Sequence, residues 1–197
     1  MRLDRPIETP RLRLESFEPD QVDAGYLGWL DDPQATRFTE VRPGAYDAAR
    51  ARAYVAGNLE SPDALLLRII APDGASKGAP DGPEGPHNGQ ERAIGTMRLS
   101  GLAGPHRCAD LALMIGAAGA RGRGYGTEAI RGAAEAAFAR FDLHKICAGI
   151  YAPNEASRRA FEKAGFHLEA RLVEQVFFES AFVDVLKMAR FADGRRR

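Results

Sequence analysis

The succession of apolar periodicities predicts an α+β or α/β sandwich built on a mixed central sheet, and three observations carry that prediction. Segments of period two and period 3.6 follow one another along the whole chain. The run Cys108 to Ile115 is nearly continuous in apolar residues, interrupted by Asp110, as expected of a central strand buried on both faces. That run leads through a glycine-rich turn into a helical segment.

In chain order, Thr9 to Phe17 alternates Leu12 and Leu14 with Arg11, Arg13 and Glu15, the pattern of a half-buried strand. Val22, Tyr26, Leu27 and Leu30 recur at helical spacing until Asp31-Asp32-Pro33 ends the run. A second helix fits Asp47 to Leu59, with Ala51, Tyr54, Val55 and Leu59 on one side and Gly57 near its end. Ala64 to Ile70 reads as an apolar strand with Ala93 to Leu99 as its partner. Between them, Ala71 to Glu91 is rich in proline and glycine, with too little apolar surface to offset the entropy of ordering. It reads as a flexible hairpin extension within a single domain, residues 1–197, either a substrate lid or an idle insertion. After the central strand come a helix from Gly124 to Arg140, a strand from Lys145 to Tyr151 and a helix from Asn154 to Lys163. Gly165 stands where a helix ends, and closing strands run over Phe166 to Val173 and Phe182 to Met188.

Composition narrows the function classes. The 197 residues suffice for one ordinary domain, and 45% hydrophobic with 27% charged residues is the balance of a globular protein. Lysine plus arginine (27) equals aspartate plus glutamate (27), so no overall charge draws the chain to nucleic acid or an anionic membrane. Cys108 and Cys147 lie in apolar runs without CxxC spacing, as reduced core thiols of a cytoplasmic protein would, rather than a disulfide or zinc pair. The opening Met1-Arg2-Leu3-Asp4-Arg5-Pro6 has no apolar signal core, and no stretch approaches the roughly 20 apolar residues of a membrane span. His87, His106, His144 and His167 show no paired metal spacing, so no metal is expected. Arg195-Arg196-Arg197 reads as a solvated tail.

The turn itself reads Arg121-Gly122-Arg123-Gly124-Tyr125-Gly126. Glycines permit close backbone approach, and N–H groups at a helix start face an anion with the helix dipole behind them. Arg121 and Arg123 add charge. No Lys-Ser/Thr follows, as a Walker loop requires, and no acidic residue stands at the dinucleotide-binding distance. Alone, the motif fits plain loop geometry as well as a phosphate cradle.

In this context the chain resembles the GNAT superfamily of acetyltransferases, whose pyrophosphate loop reads Arg/Gln-x-x-Gly-x-Gly/Ala. Arg121, Gly124 and Gly126 match it. Asn154-Glu155-Ala156-Ser157 with Phe161-Glu162-Lys163-Ala164-Gly165-Phe166 is similar to the N-x-x-S and E-K-x-G-F segment of the RimJ/RimL-like branch, and so is the opening Thr9-Pro10-Arg11-Leu12-Arg13-Leu14. The likeness spans about residues 9 to 190, the insertion apart. It implies a GNAT fold with helices on both faces and two central strands that splay to admit the pantetheine arm of acetyl-CoA. Backbone groups of Leu113, Met114 and Ile115 would pair with that arm. Arg121 to Thr127, including Gly122, Arg123, Gly124, Tyr125 and Gly126, would hold the pyrophosphate.

Making an amide from a thioester needs a neutral amine, donors for the oxyanion and a proton for the departing thiolate. An alkylammonium is mostly protonated at pH 7, so a base must act on it. Asp110 is the first candidate, matching the acidic position of the A-E-I-G strand in RimL-like relatives, with burial expected to raise its pKa. A strand-end carboxylate paired with Arg107 or His106 is the plain alternative. Glu40 is the second candidate, or a solvated loop residue. The resemblance gives Ser157 the role of acid toward the CoA sulfur and Asn154 that of holding the pantetheine, while Asn154 equally suits the N-cap of its helix. Tyr151, at the end of the preceding strand, approaches the same region. Tyr26-Leu27-Gly28-Trp29-Leu30-Asp31-Asp32-Pro33 is similar to members acting on amino-sugar nucleotides, where Arg37 or Arg42 would pair with phosphate. The expected partners are thus acetyl-CoA as cosubstrate and a small amine, with a protein N-terminus as the other acceptor class. A non-catalytic acyl-CoA-binding module is the third reading. No nucleic acid or membrane partner is expected, and the chain would be a monomer or homodimer.

Overall fold

The computed structural model describes residues 1–42, 44–72 and 91–192. Most of the Gly/Pro-rich segment, His87 with it, and the Arg195-Arg196-Arg197 tail lie outside the described residues.

Among the described residues the chain forms five helices and eight strands with two single-turn 3-10 segments: β1 (Ile7–Glu8), β2 (Arg13–Ser16), α1 (Ala24–Asp31), α2 (Pro33–Thr36), α3 (Ala48–Glu60), β3 (Ala64–Ala71), β4 (Arg92–Ser100), β5 (Cys108–Ile115), α4 (Tyr125–Arg140), β6 (Lys145–Tyr151), α5 (Glu155–Lys163), β7 (His167–Phe178) and β8 (Ala181–Phe191). The expected helices and strands are present, several with the expected limits. Local chemistry fixes their ends. Asp23, Asp32, Asp47 and Asn154 each accept a backbone N–H in the first turn of the helix that follows, satisfying a donor the helix cannot. Gly165 closes α5 at a φ of +92°, in the left-handed region. The expected strand over Thr9 to Phe17 is broken instead, because the Thr9 hydroxyl and amide bond back to Leu12 and turn the chain between β1 and β2.

All eight strands join one sheet in the order β1-β2-β3-β4-β5-β6-β8-β7. Every neighbouring pair is antiparallel except β5 and β6, which run parallel and pair only at Cys108↔Lys145, Ala109↔Ile146 and Asp110↔Cys147. Beyond those three pairs β5 stays bonded to β4 as far as Ile115, and β6 stays bonded to β8 as far as Tyr151. The two strands therefore part inside the sheet, leaving Leu111 to Ile115 and Ala148 to Tyr151 with no strand between them.

Alternation sends side chains to two faces. On one, Ala109, Leu111, Ile146, Ala148 and Ile150 pack with Ala129, Ile130, Ala133 and Ala134 of α4 and Phe161 of α5. Small residues on α4 let the helix approach the sheet closely, and Phe161 is anchored edge-on to Phe166 at 5.0 Å between ring centres. Complete burial of one such phenylalanine contributes about 2–3 kcal/mol. On the other face Phe17, Val22, Tyr26, Leu30, Ala51, Val55 and Leu66 form a smaller core under α1 and α3. That core reaches β5 only through Met114. Here the structure corrects the expectation of a strand buried on both faces: Ala109 and Leu111 are buried, but Asp110 and Ala112 are exposed, because nothing among the described residues covers that part of the sheet.

The β7–β8 hairpin turns through Glu179 and Ser180, at φ of +47° and +70°. Such a turn ordinarily takes asparagine and glycine.

Close packing of β4 on β5 depends on Gly95, where an added Cβ would lie 2.2 Å from the Met114 carbonyl oxygen. Gly95→Ala should destabilise the protein by about 1–3 kcal/mol, since backbone has to move to relieve the clash. A urea melt at unchanged m-value measures it.

Candidate active site

The parting of β5 and β6 opens toward the glycine-rich turn. Gly116, just past β5, lies under the indole of Trp29, and an added Cβ would fall 2.1 Å from the ring. A 3-10 turn over Ala118–Ala120 follows, then Gly122 and Gly124 at φ of +72° and +81°. These left-handed positions suit glycine and bring the chain into α4 with Gly124 as N-cap and no side chain capping the helix. The first amides of α4 thus lie at an exposed turn, Gly122 to Gly124, where an anion can meet them. Tyr125 is buried beneath it.

The two arginines of the turn behave differently. Arg121 folds inward, its Nε and Nη2 donating to the carbonyls of Ile115 and Gly116 at 3.0 and 2.8 Å, with Asp32 at 3.0 Å from Nη2. It braces the strand end rather than facing solvent. Burial pushes the Asp32 carboxyl up, but the Gln34 amide and the Arg121 guanidinium outweigh it and hold the group below its usual range. Arg123 is exposed, its guanidinium 5.6 Å from the Tyr125 ring centre. Gly126 fits against Leu113 and Ile115, and Thr127 is half-buried in the same helical turn.

At the narrow end of the opening, Asp110 is the last β5 residue paired with β6, opposite Cys147. Its side chain is 66% exposed, 3.5 Å from the Lys187 ammonium. The expected burial is therefore absent, and its partner is Lys187 rather than Arg107, which binds Asp142. Burial raises the Cys147 thiol, with Asp110 and Glu169 adding to the rise and Lys145 and Lys187 opposing it. Both cysteines are free, and they are half-buried at this vertex rather than in the core.

Asn154 and Ser157 occupy the start of α5, just past the end of β6. Asn154 caps the helix, its Oδ1 accepting the Ser157 N–H at 3.1 Å. Ser157 is half-buried, and its hydroxyl is engaged by no hydrogen bond among the described residues.

At the wide end, two residues that the sequence leaves apart meet directly: the Tyr151 hydroxyl donates to Glu40. Tyr151 is packed edge-on to Phe38 and Phe178, at 6.5 and 5.8 Å between ring centres. Phe38 and Phe178 stack at 5.1 Å, and Arg37 covers both rings while binding Glu179 at the hairpin tip. The loop after α2 is thereby fastened to the β7–β8 hairpin beside the opening. Phe178 and Glu179 carry no signal in sequence, because they act through contacts between distant segments, and for Trp29 and Asp32 the family likeness marks the stretch without giving the contact. Only the Asp32-Pro33 pair has a local pattern, that of a helix start.

The sequence matches the acetyltransferase (GNAT) domain over residues 11–167. The chain belongs to the GNAT acetyltransferase family. A spermidine N(1)-acetyltransferase of Vibrio cholerae is 30% identical over 99 residues, 50% of this chain and 57% of that protein, so the match spans little more than half of that relative. The solved spermidine N-acetyltransferase of Vibrio cholerae, in complex with CoA and spermine, aligns with a TM-score of 0.77 at 18% identity, covering 94% of this chain and 98% of the other. A GNAT-family acetyltransferase of Bacillus anthracis aligns at 0.75 and 17% identity over 95% and 99% of the two chains. These likenesses establish the GNAT fold, with its mixed sheet and helices on both faces. No group of acidic, histidine or cysteine side chains among the described residues is arranged to hold a metal ion, and no helix among them is long and apolar enough to cross a membrane.

The contact between Tyr151 and Glu40 has a spectroscopic signature. Burial first, then the Glu40 carboxylate, push the Tyr151 hydroxyl from 10.0 up to about 12. Glu40→Gln removes the negative charge that opposes a phenolate, so Tyr151 should ionise at lower pH in the variant. The phenolate difference spectrum between the two proteins, titrated upward from neutral pH, measures the shift; superimposable titrations would contradict the contact.

Proposed function

We propose that the protein transfers the acetyl group of acetyl-CoA to a primary amine of a small metabolite, by direct attack in a ternary complex. The observation that carries this reading is the parting of β5 and β6 after only three pairs, with the glycine turn at its wide end. The edge of β5 over Leu113, Met114 and Ile115 that faces away from β4 has no strand beside it, and its backbone groups suit a chain that carries amides of its own, in the manner of an added strand, with the Ile115 carbonyl already taken by Arg121. The exposed glycines and uncapped start of α4 suit its diphosphate. The residues present thus fit acetyl-CoA, which supplies a thioester carbonyl with a thiol as leaving group.

The remaining chemistry falls to this chain's side chains. Asp110, exposed at the vertex, takes a proton from the substrate ammonium through water, and the neutral amine so formed attacks the thioester carbonyl. The Lys187 ammonium stands beside it at 3.5 Å. Ser157 gives its proton to the sulfur as the carbon–sulfur bond breaks, and Asn154 fixes the turn that carries it. Backbone N–H groups on the open edge of β5 face the developing oxyanion. Glu40, bound to Tyr151, holds the acceptor at the wide end rather than deprotonating it.

For the acceptor, the likeness to proteins named for spermidine acetylation supports a small cationic amine. An anionic amino-sugar nucleotide is less well served, since Arg37 is committed to Glu179 and Arg42 to the carbonyls of Thr39 and Val41.

Thiol release from acetyl-CoA, followed across polyamines, amino sugars and N-terminal peptides, should be fastest with the polyamines. Release with peptides alone would move the assignment to protein acetylation, and CoA binding without release on any acceptor would make the chain a binding module.

Two substitutions test the roles. Asp110→Asn should lower kcat by about 100-fold and flatten the acidic limb of the pH–rate profile, because the limb reports protonation of the base. Ser157→Ala should lower kcat by about tenfold or more while leaving the KM for acetyl-CoA nearly unchanged.

A further inference from the structure

We infer that Arg11, more than a hundred residues away from the glycine turn in sequence, is a positioning residue of the phosphate-binding loop and sets affinity for the phosphorylated half of the donor. This rests on the acetyl-CoA assignment above.

Four observations converge on it. Glu128 lies in the first turn of α4, where an unpaired carboxylate would repel an incoming diphosphate. Three donors from the segment before β2 meet that carboxylate instead: the Thr9 hydroxyl, the Arg11 amide and the Arg11 Nε, each at 2.7 Å. Burial pushes the Glu128 carboxyl up, but these bonds outweigh it and keep it ionised below the usual range. The same guanidinium donates through Nη1 to the Arg123 carbonyl at 3.2 Å. A trans peptide is planar, so a carbonyl turned toward Arg11 sends the Gly124 N–H the opposite way. Arg11 thereby fixes the orientation of one peptide dipole in the loop.

The guanidinium also lies 4.6 Å from the centre of the Tyr125 ring, beside the Arg123 guanidinium that shares that ring. Its docking is built into the helix at a distance. A Cβ added at Gly132 would fall 2.6 Å from the Thr9 methyl group, so the Thr9 to Arg11 segment lies against α4 only because residue 132 is glycine. A bridge that neutralises one carboxylate, orients one peptide and needs a glycine two turns down the helix is more than a surface ion pair, which would contribute little.

The test compares CoA, which carries the phosphates, with pantetheine, which lacks them. By titration calorimetry, Arg11→Ala should weaken CoA about tenfold and leave pantetheine unchanged. In turnover, the KM for acetyl-CoA should rise by a similar factor while kcat at saturating donor and the KM for S-acetylpantetheine hold. R11K should recover part of the loss through charge alone, and the double variant R11A/E128Q should recover part by removing the uncompensated carboxylate. Equal weakening of CoA and pantetheine would reduce Arg11 to a general structural role and overturn the inference, as would unchanged CoA affinity in a folded R11A. Absence of CoA binding by the unaltered protein would overturn the donor assignment itself; CoA binding that ignores Arg11 overturns only this inference.

Discussion

The rest of the structure depends on an interaction that stops: the β5–β6 ladder ends at Asp110 and Cys147 although both strands continue. Buried backbone groups in proteins are almost always paired, so a gap inside a sheet is stable only where water or a ligand completes it. Each strand is held open from outside. β4 pairs with β5 and β8 with β6 along their full parted lengths, and the first turn of α4 rests on Leu113 and Ile115 through Gly126. The parallel pairing that would close the gap is the weaker kind per residue. The fold thus builds two firm half-sheets and leaves the line between them for another molecule.

Around that line, contacts distant in sequence join the glycine turn to the end of β6. Asp32 begins α2 and also grips Arg121 of the glycine turn. Trp29 lies over Gly116. The loop after α2 then carries Phe38 and Glu40 to Tyr151. One short stretch, from Trp29 to Glu40, therefore touches both sides of the wide end of the opening.

Much of this was legible in the sequence wherever the determinant was local. The Asp47 and Asn154 caps, the apolar periods of α3 and α4, and the glycines at 122, 124 and 165 all act within a few residues, and the corresponding elements were placed well. The family likeness added the parting of the strands, which no periodicity contains because a strand reads the same whether or not its neighbour stays beside it. Asp110 shows the limit. An acidic residue in an apolar run reads as buried, yet its exposure depends on α1 and α3 covering only part of one sheet face. Arg11 and Glu128 show it again, since neither has meaning until the segment between β1 and β2 lies against α4. Glu40 and Tyr151 were each legible as candidates, but their contact was not.

The hairpin tip at Glu179 and Ser180 places two ordinary residues in backbone conformations that favour asparagine and glycine. Choosing residues by turn type alone would replace both and gain a tighter hairpin, and it would also remove the carboxylate that holds Arg37 against Phe38 and Phe178. Stability and enclosure are set against each other at these two positions. A protein refined for heat resistance by consensus turns would keep its sheet and lose the tether between its hairpin and the loop after α2.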